Sequence, residues 1–231
     1  MTNRRRALPQ SFLDSARALE QSYLETDDPV RQSGFGGGAK RWRAEREPIL
    51  DAVEHDGDIL DIGCANGHLL ECLVSWGRER GLNLTPHGLD LGPRLIDLAR
   101  LRHPNFAENF HVGNAWDWRP PRRYRYVYML YDCVPEAYLA ECFGRLLAVF
   151  IEPGGRLIVG AYGPKTRGVP IRAEDTRRAA VRHRGVHSRC GIDGSGHVRR
   201  RRSACRGRVR VGRRVKVSRR SLARPVPVSR R

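Results

Sequence analysis

Apolar positions along the first 163 residues alternate between two rhythms. Runs that are apolar with little polar interruption, DILDI at 58–62, LTPHGLD at 84–90 and YRYVYMLY from 124, predict strands buried on both faces. Between them the period changes to that of a helix. Leu69, Leu70, Leu73 and Trp76 follow a glycine turn and run towards Gly81, while Leu95, Ile96, Leu98 and Ala99 lie between Pro93, suited to a first turn, and Pro104. A short strand is expected near 109–112. A helix from about Pro135 through Leu139, Phe143, Leu146 and Leu147 should stop at Pro153-Gly154-Gly155, before a fifth strand, RLIVGAY, from 156. Upstream, 8–25 has an amphipathic helical pattern, SGFGGG at 33–38 reads as a plain glycine-rich linker or a lid, and a further helix is expected from about Lys40 to His55. Such alternation predicts an α/β chain: a Rossmann-like, doubly wound, mostly parallel sheet that binds its ligand at the carboxyl ends of the strands.

The chemistry concentrates where the first strand turns into a helix, Asp58-Ile-Leu-Asp61-Ile-Gly63-Cys64-Ala65-Asn66-Gly67. Gly63 and Gly67 let backbone pass close beneath a ligand, and the helix that follows aims its unpaired first amides at the same place. Asp90 ends the second strand 23 positions past Gly67, near the step of about 20 residues at which an acidic side chain comes round to hold ribose hydroxyls. An adenosine-containing ligand is the expectation. A dinucleotide fingerprint needs glycine at 63, 65 and 68, and Ala65 and His68 crowd the place of a pyrophosphate.

The turn resembles motif I of the class I S-adenosylmethionine-dependent methyltransferases, DxGxGxG, through Asp61, Gly63 and Gly67, with Ala65 as the departure. Further stations of that family follow in order as HGLDLGPRLIDLAR (87–100), HVGNAWDW (111–118) and GGRLIVGAYG (154–163), so the resemblance spans about residues 45–163. It implies S-adenosylmethionine as cofactor and a small-molecule methyl acceptor. Asp61 would then lie near the methionine amino group, and the loop from Gly63 through Cys64 to Gly67 would run under the cofactor. Asp90, followed by Leu91, would accept from the ribose hydroxyls. Asn114 and Ala115 match the adenine-edge pair, with the Asn114 carbonyl taking the place of a commoner aspartate, and Tyr131 would lie near the sulfonium. A base-directed member should carry an Asn/Asp-Pro-Pro-aromatic loop after the fourth strand; Tyr131-Asp132-Cys133-Val134 stands there instead. His68, Tyr131 and Asp132 are the positional candidates for a general base, should the acceptor need one. Glycines after a strand are also common turn punctuation, and an aromatic ending a strand is more often packing than chemistry, the better reading for Tyr131 taken alone.

Charge divides the chain. Residues 164–231 hold 23 of the 43 Lys and Arg and three of the 25 Asp and Glu, a net of +20, whereas residues 1–163 carry 20 basic and 22 acidic, a net of −2. The last 68 residues also contain no aromatic and a single leucine, Leu222, too little apolar surface to offset ordering, so a mostly disordered tail is expected. Three domains result: 1–44, an N-terminal helix with the glycine-rich segment; 45–163, the cofactor domain; and 164–231, the Arg-rich tail. The family would continue with a helix and an antiparallel strand pair, so the C-terminal layer is expected to be incomplete here; RVRVGRRVKV (208–217) makes at best a poor hairpin substitute. The tail is a nucleic-acid-binding extension, a solvated end without function, or a reading-frame shift, and the third accounts best for the abrupt loss of aromatics and acids. If the tail is native, it would hold RNA or DNA non-specifically through phosphates, which makes a nucleic-acid-associated protein with a silent cofactor domain the rival reading.

Six cysteines, at 64, 72, 133, 142, 190 and 205, show no CxxC pair, as expected of a reduced cytoplasmic set. Cys133 as a nucleophile lacks a flanking base, and a structural thiol is the better reading. His183, His187, Cys190 and Cys205 form a loose zinc-like array without a finger core, better read as accidental spacing, so no metal is expected. No signal peptide is expected, since Arg4–Arg6 lead into a mixed polar helix, and with no apolar run of about 20 residues no membrane association is expected. Nothing in the pattern fixes the oligomeric state.

Overall fold

A computed structural model describes residues 6–160. The predicted tail, its hairpin at 208–217 and the array at 183–205 lie outside the described residues, as does the end of the expected fifth strand.

Five strands form one sheet, β1 (Gly57–Ile62), β2 (Leu84–Asp90), β3 (Phe110–Val112), β4 (Tyr124–Leu130) and β5 (Ile151–Gly160), in the order β3-β2-β1-β4-β5. Every pairing is parallel. The chain winds outwards from β1 through β2 to β3, then crosses back to lay β4 on the other side of β1. That reversal opens a crevice between the carboxyl ends of β1 and β4. The central strands are apolar throughout because both faces are covered. On one face Leu60, Ile62, Val127 and Met129 pack with Leu139, Phe143 and Leu146, the first two from α5 (Leu139–Arg145). On the other, Ile59, Tyr126 and Tyr128 meet Leu69, Leu70, Leu73 and Trp76 of α3 (His68–Glu79), with Ile96 and Ala99 of α4 (Pro93–Arg102) beside them.

β1, β2, β3, α3 and α4 follow the expected pattern closely. Three segments differ. The helix expected to reach His55 ends as α2 (Gly38–Arg46) and continues as a 3-10 helix over Glu47–Ala52, because Pro48 lacks the amide that an α-helix needs there. The segment expected as one helix from Pro135 is three pieces: a 3-10 turn at Glu136–Tyr138, α5, and a widened π turn at Leu146–Phe150. Pro153-Gly154-Gly155 does not precede β5 but bulges within it. Tyr124 pairs with Ile151 and Tyr126 with Arg156, so four residues of β5 loop out where β4 offers one, and Gly154 at φ +84 turns the loop.

The N-terminal segment is docked. Its helix α1 (Gln10–Tyr23) sets Phe12 and Leu13 against the cluster that holds Leu139 and Phe143, and the residues before it are fastened. The Trp116 indole donates to Arg6 O at 2.7 Å, the Tyr138 hydroxyl to Ala7 O at 3.0 Å, and Leu8 is buried. Phe35, inside the glycine-rich stretch, is buried edge-on to Trp42 at 5.4 Å, so this stretch is anchored rather than a free linker. Among the described residues no helix is long and apolar enough to cross a membrane, and no cluster of His, Cys, Asp and Glu could hold a metal ion.

Midway along β2, His87 is buried edge-on to Tyr124 at 5.0 Å, with Nε2 3.6 Å from Asp58. Burial pulls its pKa down from 6.5 to about 4, against the pull of Asp58. The folded chain therefore binds this proton less readily than the unfolded one, and the stabilisation is full above pH 6.5 and lost as pH falls towards 4. Moving from pH 7 to pH 5 should cost about 2 kcal/mol at this site. His87→Phe should remove that part of the pH dependence, read as a smaller shift in urea midpoint between the two pH values.

Candidate functional site

The turn after β1 is shaped by three residues in the left-handed backbone region. Gly63 (φ +81) donates to Leu89 O at 2.7 Å, and a Cβ there would stand 2.9 Å from Cys133 Sγ. Ala65 (φ +47) is the one non-glycine among the described residues at positive φ, where family motif I has glycine. A side chain in that region costs roughly 1 kcal/mol. Gly67 (φ +73) caps α3, and a Cβ on it would lie 3.1 Å from Ala99 and 3.2 Å from the His103 ring, so its role is to let α4 pack against the turn. His103 Nε2 meets Gly67 O at 3.0 Å from the same side.

Asp90 reaches across from the end of β2. Its Oδ2 accepts from the Ala65 amide at 2.9 Å and its Oδ1 from the Gly92 amide at 2.8 Å. Burial raises its pKa while these two amides pull the other way. The Leu91 amide also favours its ionised form, and the carboxylate keeps acceptor capacity for a ligand. Asn114 follows β3; its Oδ1 accepts from the Trp116 and Asp117 amides at 2.8 and 3.2 Å. That oxygen is thus engaged in holding its own turn, while the Nδ2 amide keeps its donors. Arg145, buried on α5, fixes the same loop by donating to Ala115 O at 3.1 Å and also to Trp118 O.

These strand ends surround a cavity of about 940 Å³. Of the residues singled out in the sequence, Gly63, Ala65, Asp90, Leu91, Asn114, Ala115, Tyr131, Asp132 and Cys133 line it. Asp61, Cys64 and Gly67 do not. Asp61 is buried beneath the turn, and burial with the neighbouring Asp90 charge pushes its carboxyl up to about 8, against the pull of Arg46. Cys64 is buried under β2, where a Cβ on Gly88 would approach its Sγ to 2.7 Å; burial raises its thiol well above the ordinary value. His68, the third candidate base, is stacked on Trp42 at 5.3 Å with Nδ1 3.1 Å from Glu71, away from the cavity. Cys133 donates to Ile62 O at 3.2 Å and its thiol too is pushed up by burial, which suits a structural role.

Sequence reasoning missed the roof. Phe12, Ser15, Ala16, Leu19, Glu20 and Tyr23 of α1 line the cavity, and Leu19 stays 52% exposed over it. Glu20 accepts from the Arg94 amide at 2.8 Å, bringing a negative charge to the first turn of α4. Asn66, wholly buried within the glycine turn, closes the other end. Its Nδ2 donates to Pro29 O and Gln32 Oε1, both at 3.0 Å, and its Oδ1 accepts from the His68 amide at 3.1 Å. α1 is therefore a strap pinned on both sides of the cavity. Its partly apolar pattern was visible in sequence, but the polar pins were not.

No family model matches the chain. Similar solved structures include a phosphoethanolamine N-methyltransferase from Haemonchus contortus with phosphoethanolamine and S-adenosylhomocysteine, 14% identical over 62% of this chain and 31% of that one, TM-score 0.48. A TehB-like SAM-dependent methyltransferase from Corynebacterium glutamicum is 20% identical over 68% of this chain and 84% of its own, TM-score 0.45. A SAM-dependent methyltransferase from Geobacter sulfurreducens with S-adenosylhomocysteine is 16% identical over 65% of this chain and 59% of its own, TM-score 0.44. The chain thus spans less than two thirds of the first and third of these proteins.

Asn66→Ala removes three hydrogen bonds at a buried position and should lower stability by about 2 kcal/mol, read by urea unfolding. It should also speed limited proteolysis between α1 and α2, because the strap loses its second pin.

Proposed function

We propose that this chain is an S-adenosylmethionine-dependent methyltransferase acting on a small molecule. The observation that carries the reading is that three successive strand ends bring a glycine turn, an acidic side chain and a polar-apolar pair to one cavity at the point where the sheet reverses direction. Gly63 offers a surface without a side chain, and Ala65 lines the cavity where a pyrophosphate would need bare backbone, so a cofactor without phosphates fits the turn better than a dinucleotide. The remaining lone pairs of Asp90 suit a pair of ribose hydroxyls. Asn114 presents a donor, which suits a ring nitrogen of adenine in place of the amine acceptance expected from its carbonyl. Ala115 and Leu91 supply apolar contact on either side of an aromatic base.

S-adenosylmethionine supplies a methyl group already activated by its sulfonium. The protein's work is then to bind, align and exclude water. Phe12, Leu19 and Tyr23 on α1 roof the cavity, and Tyr131 and Asp132, immediately after β4, stand where an acceptor must approach. The Asp61 carboxyl, buried beneath the turn and held up to about 8, is mostly protonated at neutral pH, and a cationic ligand group bound over the turn would draw off that proton through space.

The test is calorimetric titration of the full-length chain with S-adenosylmethionine. Saturable binding is expected, and Asp90→Ala should weaken it by about 1–3 kcal/mol through the lost ribose contacts, with unfolding followed in parallel because Asp90 also holds the turn. Unchanged affinity in that variant would refute the assignment. Near pH 7 the observed heat should depend on the ionisation enthalpy of the buffer, reporting release of up to about one proton, and Asp61→Asn should abolish that dependence. Heat independent of buffer in the unaltered chain would contradict a through-space role for the buried Asp61 carboxyl.

A further inference from the structure

We infer that the methyl acceptor is an amine that arrives as a cation and is received by Asp132, Glu136 and the rings of Tyr23 and Tyr131. The inference rests on the methyltransferase reading and names the acceptor class for the same cavity. Among the described residues that line it, the charged side chains are four carboxylates, Glu20, Asp90, Asp132 and Glu136, with no Lys, Arg or His. Two of the four are already committed to backbone, Glu20 to the Arg94 amide and Asp90 to the Ala65 and Gly92 amides. Asp132 and Glu136 are both exposed and stand on the turn that leads from β4 to α5. No described side chain forms an ion pair with either, a nearby cation being Arg6, whose guanidinium donates to Ala137 O beside Glu136. The Asp132 charge reaches inward: burial first, and Asp132 after it, hold the Tyr23 phenol above its ordinary value.

A cavity of about 940 Å³ lies near the top of the usual range of roughly 300–1,000 Å³ and leaves room for a small acceptor beside the cofactor. In that remaining space an anionic acceptor meets like charge, whereas an ammonium meets two carboxylates that no described side chain pairs and two electron-rich rings. The chemistry balances in the same direction. The amine gives one proton to water or to a wall carboxylate. Its lone pair then forms the C–N bond as the C–S bond of the methyl breaks, and that bonding pair returns to sulfur. Positive charge passes from sulfur to nitrogen, so the product is again a cation facing Asp132 and Glu136.

The test uses the full-length chain saturated with S-adenosylhomocysteine and titrated with three probes of one shape: benzylamine, benzyl alcohol and benzoate. Benzylamine should bind about tenfold tighter than benzyl alcohol, and benzoate more weakly than either. Joint replacement D132N and E136Q should erase most of the benzylamine advantage while leaving affinity for S-adenosylhomocysteine and benzyl alcohol unchanged, which also shows that the variant is folded. Equal binding of the three probes, a preference for benzoate, or no binding of any probe to the loaded chain overturns the inference while the methyltransferase reading stands. Failure of S-adenosylhomocysteine itself to bind overturns that reading, and this one with it.

Discussion

The carboxylate of Asp90 holds two backbone amides that belong to different crossovers, Ala65 after β1 and Gly92 after β2. Around this one side chain the carboxyl edge of the sheet takes its shape. Ala65 is kept at a positive φ that its methyl group resists, and Gly63 and Gly67 on either side accept the left-handed turn that the carboxylate enforces. Hydrogen bonds to the two amides favour the ionised form, while burial works against it, so the group sits in balance between protein and ligand. A ligand hydroxyl that completes its remaining lone pairs would add to an arrangement already made. Such preformed geometry keeps the ordering cost of binding low.

The same edge is covered by a strap whose packing is light. No residue of α1 is fully buried, and its fixed points are polar: Arg6 and Ala7 carbonyls on one side, Glu20 at the first turn of α4, and Asn66 reaching Pro29 and Gln32 on the other. Directional bonds at the ends with an incompletely buried apolar face between them describe an element that a ligand can finish. Asn66 links the two halves of this design, because it belongs to the glycine turn and ties the strap to it. Local stability at α1 is thus coupled to the very loop proposed to carry the cofactor.

Legibility in the sequence followed burial. Strands β1, β2 and β4 are covered on both faces and announce themselves as apolar runs; α3 and α4 carry one full apolar stripe each between glycine and proline punctuation. Two of the three segments that differ from the expected pattern involve proline. Pro48 converts a helix into a 3-10 turn, and Pro153 sits in a bulge whose existence depends on the register with β4, which no local pattern encodes. Gly63, Asp90 and Asn114, marked in the sequence by the spacing of the motif it resembles, line the cavity. Asn66 occupied an unremarked position between two glycines, and its partners lie 37 and 34 positions away. The cavity-facing residues of α1 were equally silent, since a half-exposed leucine such as Leu19 reads as surface until the cavity beneath it is known.

Hydrogen exchange of the full-length chain, measured with and without S-adenosylhomocysteine, tests the central claim most directly, because it reports on the turn, the strap and the far end of the sheet together. The account predicts added protection in Phe12–Tyr23, in the turn at 61–67 and around Asp90 and Asn114, with none at the amino ends of the strands. No change on adding the ligand, or protection confined to segments away from the carboxyl edge, would contradict it.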